Sequence, residues 1–126
     1  MNNTYRCTAC LGSNFEAEKN MAEAMRQISG LFPDIRWGEA IRTEAEGETD
    51  KRPYLNKAAI FHTQRPCDEV IRLFKGIEQA CGRTAEKKRL GIIPIDIDLL
   101  TYGDTPVKPA DLAKSYVKQA FGSIPT

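Results

Sequence analysis

The sequence lacks a long apolar segment, and this absence excludes a protein built on membrane-spanning helices. No hydrophobic run approaches the roughly 20 residues that such a helix requires. The polar N-terminus also lacks the basic and then apolar order of a secretory signal. We therefore expect a cytoplasmic protein with no membrane partner.

The chain also carries little net charge, which argues against a nucleic-acid partner. Lys and Arg together number 18 and Asp and Glu 17, so the formal net charge is +1. A protein that holds a nucleic-acid backbone normally presents a strong basic field. A ferredoxin-like RNA-binding module is disfavoured further, because no strand is rich in the aromatic residues that stack on bases. Any charge that matters for function must be local.

Residues typical of zinc and redox sites are scarce, with four cysteines and one histidine. Cys7 and Cys10 form a Cys-x-x-Cys pattern, but their segment has the composition of a strand, where residues three apart point to opposite faces. No second such pattern or Cys/His pair completes a zinc site. We interpret the cysteines as reduced thiols and His62 as a structural residue.

A chain of 126 residues suits a single domain with one core, here residues 1–126. Ser13 and Glu16 have the spacing of a helix-capping box, and residues 44–53 form a polar segment typical of a surface loop. The resulting order, βαββαβ plus a terminal helix, predicts a ferredoxin-like α+β sandwich with helices on one face of an antiparallel sheet. The predicted strands span residues 4–11, 35–43, 54–63 and 92–102. The first of three predicted helices begins near residue 13 and ends at Pro33-Asp34, and the other two span residues 66–81 and 109–121.

Two aspartates lie within the last predicted strand, which is otherwise apolar. Alternate side chains of a strand share a face, so Asp96 and Asp98 should point away from the helices together. Hard cations such as Mg²⁺ prefer oxygen ligands and commonly take one or two carboxylates plus phosphate oxygens. The same spacing is also found on the solvated face of ordinary strands, so it leaves both interpretations open.

A basic connector, residues 83–91, precedes this strand and contains Arg83, Lys87, Lys88 and Arg89. Taken alone, these cations are compatible with a solvated loop. Beside two carboxylates, however, they suit phosphoryl transfer, which depends on positioning and on neutralisation of charge. The two segments together therefore favour a site for a magnesium and polyphosphate complex.

Four short motifs strengthen this interpretation: Leu11-Gly-Ser-Asn14, Tyr54-Leu-Asn56, Ile77-Glu78 with Gly82-Arg83, and Asp96-Ile-Asp98-Leu-Leu with Tyr102-Gly103. In order and spacing they resemble the 6-hydroxymethyl-7,8-dihydropterin pyrophosphokinase family of folate biosynthesis, from about residue 4 to residue 117. The resemblance implies a ferredoxin-like α+β fold. It also implies transfer of pyrophosphate from ATP to the hydroxymethyl group of a reduced pterin, with release of AMP.

The resemblance assigns roles to the charged residues. Asp96 and Asp98 would hold two Mg²⁺ ions that bridge the triphosphate of the co-substrate ATP. Arg83 would act with them in catalysis by binding phosphate as charge develops on the leaving AMP oxygen. The basic connector would close over the nucleotide as a lid. Nucleotide-binding roles are implied for Glu78, Arg89, Lys108 and Lys114.

The resemblance also implies a pterin pocket, formed by Thr43, Tyr54, Asn56 and Tyr116. Asn56 would meet the amide-like edge of the pterin, and Tyr116 would stack on its flat ring. Their patterns leave other roles open, since both tyrosines also suit a core or its rim and Asn56 also suits a turn. Glu78 is equally compatible with an exposed helix surface or with support of the site.

Two positions depart from the family pattern. Ile93 and Ala85 stand where the family commonly has arginines that bind phosphate. Loss of one contact to a developing anion typically costs a few kcal/mol. We therefore expect an enzyme with reduced or altered nucleotide handling. The alternative is a non-catalytic relative that binds a pterin, a nucleotide or a protein partner.

Overall fold

The structure of the protein, a computed structural model, describes residues 4–44 and 53–124. Its strands are β1 (Tyr5–Ser13), β2 (Arg36–Trp37), β3 (Ile41–Thr43), β4 (Tyr54–Thr63), β5 (Asp96–Tyr102) and β6 (Thr105–Pro106). Its helices are α1 (Ala17–Leu31), α2 (Cys67–Ala80), α3 (Ala85–Arg89), α4 (Pro109–Leu112) and α5 (Ser115–Gly122). No helix in these two ranges is long and apolar enough to cross a membrane.

The strands form one antiparallel sheet in the order β2-β4-β1-β5-β6, with β3 also paired to β4. Strand β1 is central and pairs with β4 on one side and β5 on the other. This arrangement brings the N-terminal strand against both motif-bearing strands. The predicted ferredoxin-like α+β sandwich is confirmed.

Helices α1 and α2 cover one face of the sheet and bury its main core. Their buried residues recur at helical spacing, as Met21, Ala24 and Ile28 do in α1. Three aromatic rings, Phe32, Phe61 and Phe74, pack together with centroids 4.4 to 6.3 Å apart. This layer holds the sheet from one side only, which leaves the opposite face for other groups.

Helix α5 covers part of that opposite face. Val117 packs with Cys10 and Leu100, and Ala120 packs with Ala58. The C-terminal segment predicted as one helix is thus two, α4 and α5, and the second lies over β4. The uncovered remainder of this face forms a cavity.

The predicted strand at 35–43 is divided into β2 and β3, and Gly38 lies at the break. Its backbone N–H donates to the Ala58 carbonyl oxygen over 2.9 Å. A Cβ at this position would lie 2.5 Å from Ser123 Oγ and 2.7 Å from the Ala120 carbonyl oxygen. The end of α5 therefore presses on this point, a contact between segments far apart in sequence.

The predicted capping box does not form. Ser13 ends β1, and its Oγ donates to the Phe15 carbonyl oxygen over 3.1 Å. Glu16 is the N-cap residue of α1 with φ of 41°, and it makes no side-chain capping hydrogen bond. The strand continues where the spacing predicted a helix start, because β1 pairs with β4 as far as Ser13. Of the predicted loop at 44–53, residues 45–52 lie outside the described residues.

Candidate active site

A cavity of about 460 Å³ opens on the face of the sheet that α5 partly covers. Strands β1, β4 and β5 form its floor, and the basic connector and residues 108–117 form its walls. Nine of the predicted site residues line it: Thr43, Tyr54, Asn56, Arg83, Asp96, Asp98, Lys108, Lys114 and Tyr116. A smaller cavity of about 250 Å³ adjoins it along the edge of β5 and contains Glu78. Arg89, at the end of α3, lines neither cavity.

The carboxyl groups of Asp96 and Asp98 share one face of β5, as strand alternation requires, and both residues line the cavity. Burial raises the pKa of Asp98, and the neighbouring Asp96 raises it further. Burial also acts on Asp96, but its hydrogen bond with Arg83 brings its pKa below its ordinary value. Two such carboxylates cannot both ionise without cost, so the pair favours a shared proton or a nearby cation.

Each aspartate is bound by a basic side chain of the protein. Arg83 Nη1 lies 2.6 Å from Asp96 Oδ1. Lys108 Nζ lies 3.0 Å from Asp98 Oδ1. The hydrogen bond and charge of Asp98 raise the pKa of Lys108, which keeps this lysine protonated. The floor of the cavity therefore holds two ion pairs side by side.

Glu78 supports these pairs from the edge of the sheet. It is buried, and its Oε2 accepts hydrogen bonds from the Ile97 backbone N–H over 2.7 Å and from Arg83 Nη1 over 3.2 Å. Strand β6 pairs only with Thr101 and Tyr102 of β5, so it does not reach Ile97. Glu78 thus accepts the Ile97 N–H hydrogen bond that a neighbouring strand would otherwise accept, and it also orients Arg83.

The floor of the cavity has no side chain at Gly12, which lies on β1. In the sheet, Gly12 lies between Asn56 of β4 and Asp96 of β5. A Cβ at this glycine would come within 3.4 Å of Asn56 Oδ1 and 3.7 Å of Tyr54 Cδ1. A larger residue would therefore fill the space beside Asn56, and glycine leaves room for a flat ligand.

The side chain of Asn56 is held in place by its neighbours. It is buried, and its Nδ2 donates to the Ile41 carbonyl oxygen over 3.1 Å and to Thr43 Oγ1 over 2.9 Å. In the wall formed by residues 108–117, Lys114 Nζ lies 5.8 Å from the centre of the Tyr116 ring. Thr43, Tyr54 and Asn56 belong to β3 and β4, whereas Asp96 and Asp98 belong to β5, so these two sets line the cavity on opposite sides of β1.

Sequence reasoning missed Asn14 as a residue that shapes the site. Its Nδ2 donates to the Gly91 carbonyl oxygen and its Oδ1 accepts from the Ile93 N–H, each over 2.7 Å. These bonds fix the segment before β5 and place Ile93 in the cavity wall. The motif containing Asn14 was the available signal. Nothing in the sequence indicated that Cys10 and Asp111 also line the cavity.

The donor set at the aspartate end suits magnesium in its chemistry. Asp96 and Asp98 present carboxylate oxygens, which hard cations prefer. Within the described part of the chain, no cluster of three or more His, Cys, Asp or Glu residues is arranged to hold a metal ion. Two carboxylates must therefore be supplemented by water or by ligand oxygens, and this is how Mg²⁺ is commonly bound at phosphate-binding sites.

Comparison with known proteins agrees with this geometry. The family model of 7,8-dihydro-6-hydroxymethylpterin-pyrophosphokinase (HPPK) matches residues 8–125. The folate synthesis bifunctional protein of Chlamydia trachomatis serovar D is 48% identical over 52 residues, which cover 41% of this chain and 11% of the relative. That of Arabidopsis thaliana is 33% identical over 95 residues, which cover 74% of this chain and 20% of the relative. The chain thus spans a fifth or less of these relatives, and it belongs to the HPPK family.

Proposed function

We propose that the protein transfers pyrophosphate from ATP to 6-hydroxymethyl-7,8-dihydropterin, with Mg²⁺ as cofactor and AMP as the second product, in folate biosynthesis. One observation carries the proposal: Asp96 and Asp98 share a face and open into the same cavity as Asn56. Family membership supports the reaction class, and both relatives are named as folate synthesis proteins.

The pterin would bind over Gly12 and beside Asn56. Gly12 provides a flat floor there, and Asn56 is held rigidly beside it by two hydrogen bonds. A reduced pterin is flat and carries donors and acceptors along one edge, so it requires rigid polar partners and an aromatic face. Tyr54 and Tyr116 both line the cavity and supply aromatic surface.

The polyphosphate of ATP would bind at the aspartate end. Asp96 and Asp98 are the proposed ligands of two Mg²⁺ ions, which when bound neutralise the triphosphate. Arg83 and Lys108 supply further positive charge, and Lys114 lies on the wall nearby. Arg89 and Glu78 stay predictions as nucleotide-binding residues, since neither lines the larger cavity.

In the proposed reaction the hydroxymethyl oxygen forms a bond to the β-phosphorus of ATP. The bond between that phosphorus and the oxygen that bridges to the α-phosphorus breaks, and AMP leaves with this oxygen. The hydroxyl proton passes to solvent. Arg83 stabilises the charge that develops on the leaving oxygen, because a cation placed there binds the transition state more tightly than the ground state.

The decisive experiment measures AMP formed from ATP with Mg²⁺, in the presence and absence of hydroxymethyl-dihydropterin. Asp96→Asn and Asp98→Asn should each lower the pterin-dependent rate by on the order of a hundredfold or more. Asp104→Asn is the matched control, since Asp104 is exposed and lies outside the cavity. AMP formation at the same rate with and without the pterin, or full activity in both aspartate variants, would refute the proposal.

A non-catalytic relative is the alternative, and Ile93 in the cavity wall favours it because an apolar side chain replaces a potential phosphate contact. A binding protein of this kind would show a pterin-induced rise in melting temperature without any AMP. The same samples therefore separate the two functions.

A further inference from the structure

The cations around the aspartate end differ in whether the protein already neutralises them. Three of them make ion pairs with carboxylates of the cavity, and these carboxylates neutralise much of their positive charge. The pairs are Arg83 with Asp96 at 2.6 Å, Lys108 with Asp98 at 3.0 Å, and Lys114 with Asp111 at 3.4 Å. A polyphosphate that approaches these three cations must therefore compete with carboxylates.

Lys88 is in a different situation. It lines both the 460 Å³ and the 250 Å³ cavities. It is exposed and has no ion-pair partner among residues 4–44 and 53–124. Its charge is available without the loss of any contact seen in the free protein.

The neighbouring Lys87 cannot do the same work. Its Nζ donates to the Gly82 carbonyl oxygen over 2.9 Å, and its backbone N–H donates to Thr84 Oγ1 over 3.1 Å. Gly82 has φ of 97°, so Lys87 stabilises a turn that favours glycine. Helix α3 thus separates two adjacent lysines, one bound to the turn and one directed to the cavities.

We propose that Lys88 binds the polyphosphate of the incoming nucleotide and supplies positive charge that Ile93 and Ala85 do not. This inference rests on the proposed function. Glu78, Asp96 and Asp98 face Arg83 and Lys108, which leaves one net negative charge before a metal binds. An anionic ligand meets a favourable field at this end only where an uncommitted cation lies, and Lys88 provides one.

The position of Lys88 also indicates which step it affects. Its side chain is a flexible point charge on an exposed helix, and it contacts phosphate oxygens that carry charge before as well as during the reaction. Such a residue contributes similarly to ground-state and transition-state binding. It should therefore lower the KM for ATP without a comparable effect on kcat.

The test is isothermal calorimetry of the full chain with Mg²⁺ and α,β-methylene ATP, repeated with Mg²⁺ and inorganic tripolyphosphate. Lys88→Ala should weaken the binding of both ligands by on the order of tenfold, because a hydrogen bond to a charged group is lost. Lys88→Arg should retain most of the affinity. Lys118→Ala is the matched control, since Lys118 is exposed on α5 and lines neither cavity.

Kinetics distinguish this inference from the proposed function. If AMP forms and Lys88→Ala raises the KM for ATP while kcat changes little, both stand. If AMP forms but Lys88→Ala behaves as Lys118→Ala, the role of Lys88 is overturned and the reaction is not. If no AMP forms yet Lys88→Ala weakens tripolyphosphate binding, Lys88 holds and the reaction fails. If the wild-type chain binds neither phosphate ligand, the role of Lys88 is overturned.

Discussion

Arg83 and Asp96 are bound to each other across the cavity floor, with Nη1 2.6 Å from Oδ1. Under the proposed function these two residues bind ligands of opposite charge, since Asp96 would bind a cation and Arg83 would bind an anion. In the structure Arg83 and Asp96 are paired with each other, and Lys108 and Asp98 are paired in the same way. A metal ion and a nucleotide that bind together can replace both ion pairs, because the aspartates then contact the metal and the basic side chains contact the phosphates. A metal ion alone would leave the two basic side chains unpaired, and a nucleotide alone would leave the two aspartates unpaired.

Removal of Lys108 should strengthen metal binding to the free protein. In Lys108→Met the Asp98 carboxylate loses its internal cation, so Mn²⁺ used in place of Mg²⁺ should bind several-fold more tightly without nucleotide. Electron paramagnetic resonance of free Mn²⁺ measures this affinity directly. Lys114→Met is the control, because it removes a charge from the same cavity without contact to Asp98. Equal affinities in the two variants would show that Lys108 does not compete with metal.

Replacement of Glu78 by alanine and by glutamine should show how much stability depends on its acceptor oxygen and how much on the rest of its side chain. In Glu78→Ala the Ile97 N–H loses its acceptor and Arg83 loses a partner, so the free energy of unfolding should fall by about 1–3 kcal/mol. Glu78→Gln keeps an acceptor oxygen, and burial already raises the pKa of Glu78, so the neutral amide should cost less than alanine. Urea unfolding at neutral pH measures both. Equal losses in the two variants would contradict a role for the acceptor.

Two glycine substitutions should change stability in opposite directions. Gly38→Ala places a Cβ 2.7 Å from the Ala120 backbone carbonyl oxygen, so it should destabilise the protein by roughly 1–3 kcal/mol. Gly76→Ala in α2 meets nothing within 4 Å and should stabilise by roughly 0.5–1 kcal/mol, since alanine favours the helix. Thermal unfolding followed by circular dichroism compares them. Destabilisation of similar size in both would show that helix α5 does not press on Gly38.

The thiol of Cys10 should be unreactive in the native cavity wall. Burial raises its pKa from 9.0 to about 12, and the negative charges of Asp98, Asp96 and Asp111 add to this. Because the thiolate is the nucleophile, iodoacetamide at about pH 8 should leave Cys10 unmodified in the folded protein and label it in urea. Mass spectrometry of the digested protein gives the site of labelling. Rapid native labelling of Cys10 would contradict its protonated state.

The same shift predicts the direction of a stability change with pH. The folded pKa of Cys10 lies above its ordinary value, so the folded state retains a proton that the unfolded state releases. The stability that this proton contributes is present below pH 9.0 and is lost as the pH rises toward about 12. Cys10→Ala should therefore lose less stability than the wild type between about pH 8 and pH 10. Parallel losses in the two proteins would contradict it.

Local patterns in the sequence were sufficient for much of the fold and for the position of the aspartates. The alternation around Asp96 and Asp98 placed both carboxyl groups on one face, and the helical spacing of Val70, Phe74 and Ile77 identified α2. These features depend on neighbours within one or two turns or strand repeats. Periodicity records such neighbours directly.

Contacts between distant segments were beyond such patterns. The capping box at Ser13 fails because β4 extends the strand pairing through that residue, and the strand at 35–43 divides where α5 reaches Gly38. The lysines at 87 and 88 are identical in sequence terms, yet only one is bound to the Gly82 turn. Each outcome depends on a partner that the local sequence does not contain.

The amino-acid sequence by itself determined the order of the main elements β1, α1, β4, α2 and β5, the shared face of the two aspartates and the family pattern of short motifs. Only the tertiary structure decided that Arg83 and Lys108 pair with the aspartates, that Glu78 binds the Ile97 N–H at the edge of β5, and that Lys88 has no ion-pair partner among the described residues. The reason is physical. Periodicity depends on bonds along the chain, whereas charge neutralisation depends on distances between residues that folding brings together.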